Sequence, residues 1–176
     1  MLKKTITPLD EEISFLPSEI IVSKTDLQGR ILYANDVFCR VAEMSTDEVL
    51  GQPHSIIRHP EMPRAVFKLL WDTVEKQQEI FAYVKNMSAT GKYYWVIAHV
   101  TPTLDETGKT SGYHSNRRAP SKRGIAEIEA IYKLLLAEEA RHKNHKDGLA
   151  ASTAMLEDLL TNQNKSYSEF IWSTGE

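Results

Sequence analysis

Cysteine is almost absent from this sequence, because Cys39 is the only one among 176 residues. A single cysteine excludes an intramolecular disulfide framework and any multi-cysteine metal site. Long apolar runs are absent as well, and none approaches the roughly 20 residues that a membrane-spanning helix needs. We therefore expect a protein without a membrane span and without a metal site.

Neither sign of charge dominates, since 21 Lys and Arg residues against 24 Asp and Glu residues give a net charge of -3. This balance provides no electrostatic footprint for nucleic acid. The start of the chain lacks the apolar core of a signal peptide, because Met1–Lys4 is followed by polar and acidic residues. These features predict a cytoplasmic protein that does not bind nucleic acid.

Two further absences concern catalysis. The sequence has no glycine-rich phosphate loop of the Rossmann or P-loop type. It also shows no recognisable set of a nucleophile, a base and a residue that orients the base. Hydrophobic residues make up 41% and charged residues 26%, which is typical of a globular protein. We therefore expect a folded protein that is not an enzyme.

Short β-strand patterns occur in two groups. The β-branched run 20–23 and the apolar segment 30–34 flank a glycine-containing turn, which predicts a hairpin. Three later segments, 80–85, 93–102 and 111–117, predict consecutive strands. Sequential hairpins of this kind build an antiparallel sheet with helices on one face. We therefore predict an α+β fold with a five-stranded antiparallel sheet.

Helix signals fill the gap between the two strand groups. Asn35 is a favourable N-cap for a short helix, and Ser45 with Glu48 has the spacing of a capping box. Apolar residues at three- and four-residue spacing predict an amphipathic helix over 64–77. The proline-rich segment 52–63 is expected to be irregular, with at most one helical turn.

The pattern changes after residue 120. Apolar residues recur at helical spacing over 125–136 and over 155–160, with the polar break 143–148 between them and an aromatic tail after them. One sheet face is not expected to bury both stripes, which favours a homodimer or contact with a separate signalling protein. The predicted organisation is an N-terminal cap at 1–18, a central sensory domain at 19–120 and a C-terminal helical extension at 121–176.

The predicted order of elements, a strand pair, a helix cluster and three strands, is that of PAS domains. The segment Gly51–Pro63 reads GQPHSIIRHPEMP and resembles the signature of the PAS domains at the front of aerotaxis receptors. The resemblance covers residues 20–120. Shorter matching strings lie around the signature in the same order: Thr25–Gly29, Tyr33–Asn35, Val84–Asn86, Gly91–Val96 and Ser111–Tyr113.

This resemblance implies a PAS fold that binds FAD noncovalently, senses redox or oxygen status and signals to a partner by a conformational change. The family's cofactor positions fall on Arg58, His59 and Glu61, with Asn35 and Asn86 as further candidates. Arg58, His59 and the start of the following helix would supply positive charge and backbone N–H groups to the phosphates of the dinucleotide.

Two other hypotheses remain open. Glu61 stands where the family usually has Asp, and Ile80 replaces a common tryptophan. These departures favour a PAS module without cofactor that acts in dimerisation or as an adaptor. His54 and His59 lie where related domains place a haem ligand, which makes a haem-binding gas sensor the other hypothesis.

Overall fold

The chain forms an α+β structure of five strands and six α-helices over residues 6–175, the part that the computed structural model describes. Residues 1–5 of the predicted N-terminal cap and residue 176 of the predicted extension lie outside the described residues. The strands are β1 Ile21–Thr25, β2 Ile31–Ala34, β3 Ile80–Met87, β4 Tyr93–Leu104 and β5 Thr110–Arg118. The helices are α1 Asp36–Ala42, α2 Thr46–Val49, α3 Arg64–Val74, α4 Lys122–Ala140, α5 His145–Asn162 and α6 Tyr167–Ser173, with a 3₁₀ turn at His54–Ile57.

The strands form one sheet in the order β2-β1-β5-β4-β3, and every neighbouring pair is antiparallel. This confirms the predicted five-stranded antiparallel sheet. Strand β5 approaches β1 very closely at Gly112, where a Cβ atom would lie only 2.2 Å from the Thr25 carbonyl oxygen. Glycine is required at this position because any side chain would push the two strands apart.

Side chains at alternate strand positions point to opposite faces of the sheet. The inner face lies against α3, and the two together form much of the buried core. The outer face is covered in part by α4, whose Tyr132 hydroxyl donates to the Tyr83 carbonyl at 2.6 Å. The ring of Tyr132 also lies 6.2 Å from that of Trp95, centroid to centroid. The sheet is therefore packed on both faces.

The local helix signals are confirmed. Asn35 is the N-cap of α1 and accepts a hydrogen bond from the Phe38 N–H at 3.0 Å. Ser45 and Glu48 form the capping box of α2. The predicted amphipathic helix begins at Arg64 but ends at Val74 rather than 77. It ends early because Gln77 adopts a left-handed backbone, with φ of 60°, which cannot continue an α-helix.

The C-terminal helices differ from expectation in two places. Helix α5 begins at His145, inside the predicted break, because Asn144 caps it by accepting a hydrogen bond from the Lys146 N–H at 2.9 Å. The predicted aromatic tail is a third helix, α6, which Ser166 and Glu169 open with a second capping box. None of the described helices is both long and apolar enough to span a membrane.

As expected, one sheet face does not cover both apolar stripes, because the chain buries them in different places. Helix α4 contacts the outer sheet face through Tyr132, whereas α5 packs mainly on α3 and α4. Ile128 and Leu135 of the first stripe and Leu156 of the second are all buried within the chain. The stripes therefore give no argument for a homodimer or a partner.

The described part of the N-terminal segment pairs with the start of β4. The Leu9 N–H donates to the Gly91 carbonyl at 2.8 Å, and the Ile13 N–H donates to the Tyr93 carbonyl at 2.8 Å. Glu12 forms a parallel bridge with Tyr93. This backbone pairing holds the segment against the start of β4, beside the turn between β3 and β4.

Adjacent residues of β2 test the placement of the core. Ile31 is fully buried, whereas Leu32 is 62% exposed. We expect Ile31→Ala to lower the free energy of unfolding by about 2–5 kcal/mol, because it leaves a cavity in the core. Leu32→Ala is the matched control and should change it by no more than about 0.5 kcal/mol. Urea denaturation measures both, and equal losses would contradict this assignment of the β2 faces.

Candidate functional site

A cavity of about 160 Å³ lies between the inner face of the sheet and α3. Most of its wall is hydrophobic, as in ligand pockets generally, where a few polar groups fix the orientation of the ligand. Helix α3 supplies one side because its amphipathic pattern turns apolar residues toward the sheet. The apolar wall consists of Phe67, Leu70, Trp71, Val84, Ala98 and Val100.

The sheet side of the cavity also carries polar side chains, which we call the polar wall, and three of its buried atoms have no hydrogen-bond partner among the described residues. These atoms are Asn86 Nδ2, Ser115 Oγ and Arg117 Nη1. Leaving a buried polar group unpaired costs about 1–3 kcal/mol, so native proteins avoid it unless water or a ligand supplies the partner. The cavity therefore has the apolar walls and unpaired donors of a site for a flat, polar-edged molecule.

Of these three residues, Arg117 provides the strongest hydrogen-bond donor. It is 3% exposed, and its Nη2 donates to Ser23 Oγ at 2.8 Å and contacts His54 Nε2. Its guanidinium carbon lies 5.6 Å from the centre of the Phe38 ring. No carboxylate among the described residues pairs with it. Burial lowers the pKa of Arg117 to about 10, so the group still carries its charge at neutral pH.

His54 keeps Arg117 in place as a neutral ring. Burial, and then the neighbouring charge of Arg117, hold the pKa of His54 well below its usual range. Because Nε2 faces a guanidinium N–H, it is the unprotonated nitrogen and accepts that hydrogen bond. This contact engages one of the two ring nitrogens through which His54 could bind a haem iron.

Two of the five residues predicted from the sequence line the cavity. Arg58 and Asn86 come together through an antiparallel bridge between their backbones. The Arg58 guanidinium carbon lies 4.1 Å from the centre of the Phe67 ring, and its Nη2 donates to the Met62 carbonyl at 3.3 Å. Burial lowers the pKa of Arg58. Arg58 thus places a cation in the cavity wall.

His59 and Glu61 are not among the residues that line the cavity. The buried His59 ring accepts a hydrogen bond at Nδ1 from the Glu61 N–H at 3.1 Å, and burial lowers its pKa. The Glu61 carboxylate pairs with the buried Lys85 ammonium at 2.5 Å on the outer side of the sheet, and this hydrogen bond lowers the pKa of Glu61. The Lys85 ammonium also lies 4.4 Å from the centre of the Tyr93 ring. These contacts fix the loop 58–63 to β3.

Asn35, the remaining predicted residue, has its side chain fully engaged in the fold. Its Oδ1 accepts from the N–H groups of Val22 and Phe38, both at 3.0 Å. Its Nδ2 donates to the Ile20 carbonyl at 2.8 Å. Asn35 therefore joins α1 to β1 and is not one of the residues of the cavity wall.

The start of α3 is not free to bind a phosphate, contrary to the expectation from sequence. The N–H groups of Arg64 and Ala65 both donate to the Glu139 carboxylate, at 2.7 Å and 3.2 Å. Glu139 lies 75 residues from Arg64 along the chain. No local pattern signals such a distant cap.

Sequence reasoning missed Arg117 and Ser115 as site residues. Both lie on β5, two positions apart, and so share the inner face. The signal that could have identified them is a polar pair at alternate positions of a central strand, where apolar residues are expected. Ser23 was missed for the same reason, since it is a polar inner-face residue of β1 opposite Ser115.

The family described as PAS fold matches residues 31–116. The aerotaxis receptor of Escherichia coli (strain K12) is 39% identical over 140 residues, which cover 80% of this chain and 26% of the receptor. The chain thus spans about a quarter of the length of that relative.

Two solved structures share the fold. The PAS domain of a protein from Colwellia psychrerythraea aligns with a TM-score of 0.54 at 22% identity, covering 59% of this chain and 88% of that one. A light-oxygen-voltage domain whose mechanism was studied with a flavin analogue aligns with a TM-score of 0.54 at 18% identity, covering 70% and 87%. Residues 31–116 of this chain therefore belong to the PAS-fold family, and the chain is similar to the aerotaxis receptor.

Proposed function

We propose that this chain is a cytoplasmic PAS sensor that binds FAD noncovalently in the cavity and reports redox or oxygen status to a separate signalling protein. One observation carries the proposal. An apolar cavity has three unpaired buried polar atoms along a single wall, on Asn86, Ser115 and Arg117. The apolar side suits the flat face of a flavin ring, and the polar side suits its carbonyl and nitrogen edge.

When bound, FAD supplies a redox centre whose ring edge becomes more electron-rich on reduction. Arg117 would hold a positive charge at that edge, and Asn86 would donate an amide N–H to it. Charge-assisted hydrogen bonds are roughly twice as strong as neutral ones, so Arg117 would respond most to a change of charge there. The protein's part is to fix these donors and to exclude water.

The five positions taken from the family pattern would then divide into two roles. Arg58 and Asn86 would contact the cofactor, with Arg58 as the cation for the phosphates. His59 and Glu61 would act through the shape of the loop 58–63, and Asn35 through the position of α1. Substitution of Asp by Glu at position 61 is compatible with this role, because Glu61 reaches Lys85.

The cavity also indicates where the cofactor would enter. About 160 Å³ is close to the roughly 150 Å³ of an engineered cavity that binds benzene, so a three-ring flavin needs more room. Trp71 lines the cavity and is 36% exposed. Rotation of this side chain toward solvent would enlarge the cavity on the side of α3.

The likeness to known proteins supports the sensory role. The relative that is 39% identical is an aerotaxis receptor, and one structural neighbour is a domain studied with a flavin analogue. Signalling through a conformational change requires only that the two redox states differ in their interactions with two protein conformations. A homodimer remains a prediction for the assembled sensor.

The visible spectrum distinguishes the three hypotheses. We expect the protein, as purified or after incubation with FAD, to show the flavin band at about 450 nm. A Soret band at about 400 nm would indicate haem instead. A protein that stays colourless after incubation with each cofactor would contradict the proposal and favour the adaptor hypothesis.

Replacing Arg117 tests the polar wall. We expect Arg117→Met to weaken FAD binding roughly ten- to a hundredfold, because it removes a charge-assisted donor. The free energy of unfolding should be unchanged or higher, since a buried unpaired charge is itself costly. Isothermal titration and urea denaturation measure the two effects. Arg118→Met, at the exposed neighbouring residue, is the control and should change neither the FAD affinity nor the free energy of unfolding. An FAD affinity equal to that of the wild type in Arg117→Met would contradict the assignment of Arg117 to the site.

Acid should weaken the fold through His54. Its folded-state pKa is depressed, so the unfolded chain takes up a proton below its pKa of about 6.5 while the folded protein does not. The contribution to stability is therefore complete above about pH 6.5 and is lost as the pH falls below it. We expect up to about 1 kcal/mol less stability at pH 5.5 than at 6.5 from this group. Urea denaturation across this range should show a shallower loss for His54→Gln, and an unchanged loss would contradict the role of His54.

A further inference from the structure

The Glu139 carboxylate, near the end of α4, is buried where three helices meet. It is 7% exposed and accepts hydrogen bonds from the backbone N–H groups of Arg64 and Ala65 at the start of α3. It also accepts from Arg64 Nε at 2.9 Å and from the Ser152 hydroxyl of α5 at 3.0 Å. One carboxylate thus joins α3, α4 and α5, and we call these contacts the Glu139 junction.

The helices around the junction are packed to backbone contact. A Cβ atom on Gly148 of α5 would lie 2.7 Å from the Glu139 carbonyl oxygen. Arg64 Nη1 donates to the His145 carbonyl at 3.0 Å and lies 2.9 Å from His145 Nδ1. A shift of α3 by a fraction of an ångström would therefore disturb several contacts at once.

Helix α3 runs from this junction to the cavity. Its first residues are held by Glu139, and Phe67, Leu70 and Trp71 farther along line the cavity. A helix moves as a rigid element, so a ligand that pushes on α3 through Phe67 or Leu70 also acts on the hydrogen bonds at its start. The two ends of α3 are thus mechanically connected.

Helix α5 depends on α3 more than α4 does. The Tyr132 hydroxyl of α4 donates to the Tyr83 carbonyl, which holds α4 to the sheet without α3. Helix α5 packs mainly on α3 and α4. Its contacts with α3, among them those of Arg64 with His145, would be lost if α3 shifted away.

We propose that the Glu139 junction couples the contents of the cavity to the docking of α5, which makes α5 the element released or held by the sensor. The proposal deepens the proposed function and relies on it only for the identity of the ligand. Coupling is reciprocal, so a weakened junction also changes the affinity of the cavity for its ligand. Glu139 is a positioning residue here, because it touches α3 and α5 and not the ligand.

Hydrogen–deuterium exchange of α5 tests the coupling in the full chain. We expect amides of residues 145–162 to exchange at rates that differ about fivefold or more between the FAD-loaded and the FAD-free protein, the lower end of usual coupling. In Glu139→Gln this difference should disappear, because an amide donor would then face the Arg64 donor. Glu138→Gln is the matched control, since Glu138 pairs with Arg141 and His142 at the surface and should leave the difference intact.

Two more variants are included, one with a milder change at the junction and one that needs no cofactor. Ser152→Ala removes only the hydrogen bond from α5 and leaves the cap on α3, so it should reduce the difference even if Glu139→Gln fails to fold. Ser115→Leu fills the cavity without any cofactor and should also change the exchange of α5 relative to wild type.

Each outcome separates the two proposals. If FAD binds but α5 exchanges equally with and without it, the coupling is wrong and the proposed function stands. If FAD does not bind but Ser115→Leu alters the exchange of α5, the proposed function is wrong and the coupling stands. Two results would overturn the coupling. One is that FAD does not bind and Ser115→Leu leaves the exchange of α5 unaltered. The other is that Ser152→Ala and Glu139→Gln both keep the wild-type difference in α5 exchange between the FAD-loaded and the FAD-free protein.

Discussion

The pairing of β5 with β1 is the constraint on which the rest of this structure depends. It joins an N-terminal hairpin to a three-stranded meander and so makes one sheet from two groups that are distant in sequence. The close approach at Gly112 fixes the register, which places Ser23 opposite Ser115. That register brings the Ser23 hydroxyl within reach of the Arg117 guanidinium. One strand pairing thus brings Ser23 together with Ser115 and Arg117 of the polar wall.

The loop 58–63 shows how a short, specific sequence string can define a shape. Its side chains point in three directions, with Arg58 in the cavity wall, His59 buried beneath the loop and Glu61 paired with Lys85 beyond the strand. Each contact restrains a different side of the loop. The string is therefore specific because several of its residues are needed to place one cation.

Much of the fold could be predicted from sequence because its signals are local. The Asn35 cap and the Ser45–Glu48 capping box act within a few residues, and the strand patterns repeat every two. The site was less accessible. Of its polar wall only Asn86 was predicted, because Arg117 and Ser115 become neighbours of the other cavity residues only through tertiary packing. The cap on α3 from Glu139 spans 75 residues and has no local signature, whereas α6 had a legible capping box at Ser166 that was passed over.

The Glu139 carboxylate accepts hydrogen bonds from main-chain N–H groups, and this affects which substitutions such proteins tolerate as their sequences diverge. Every helix presents free N–H groups in its first turn, whatever its side chains are. The residues at the start of α3 can therefore drift without removing the two backbone donors that meet the carboxylate. A C-terminal segment joined to such a domain needs only a suitably placed acid to attach there. Attachment of this kind would make C-terminal segments exchangeable between such domains, and it would give protein engineers a defined place at which to fuse a new one.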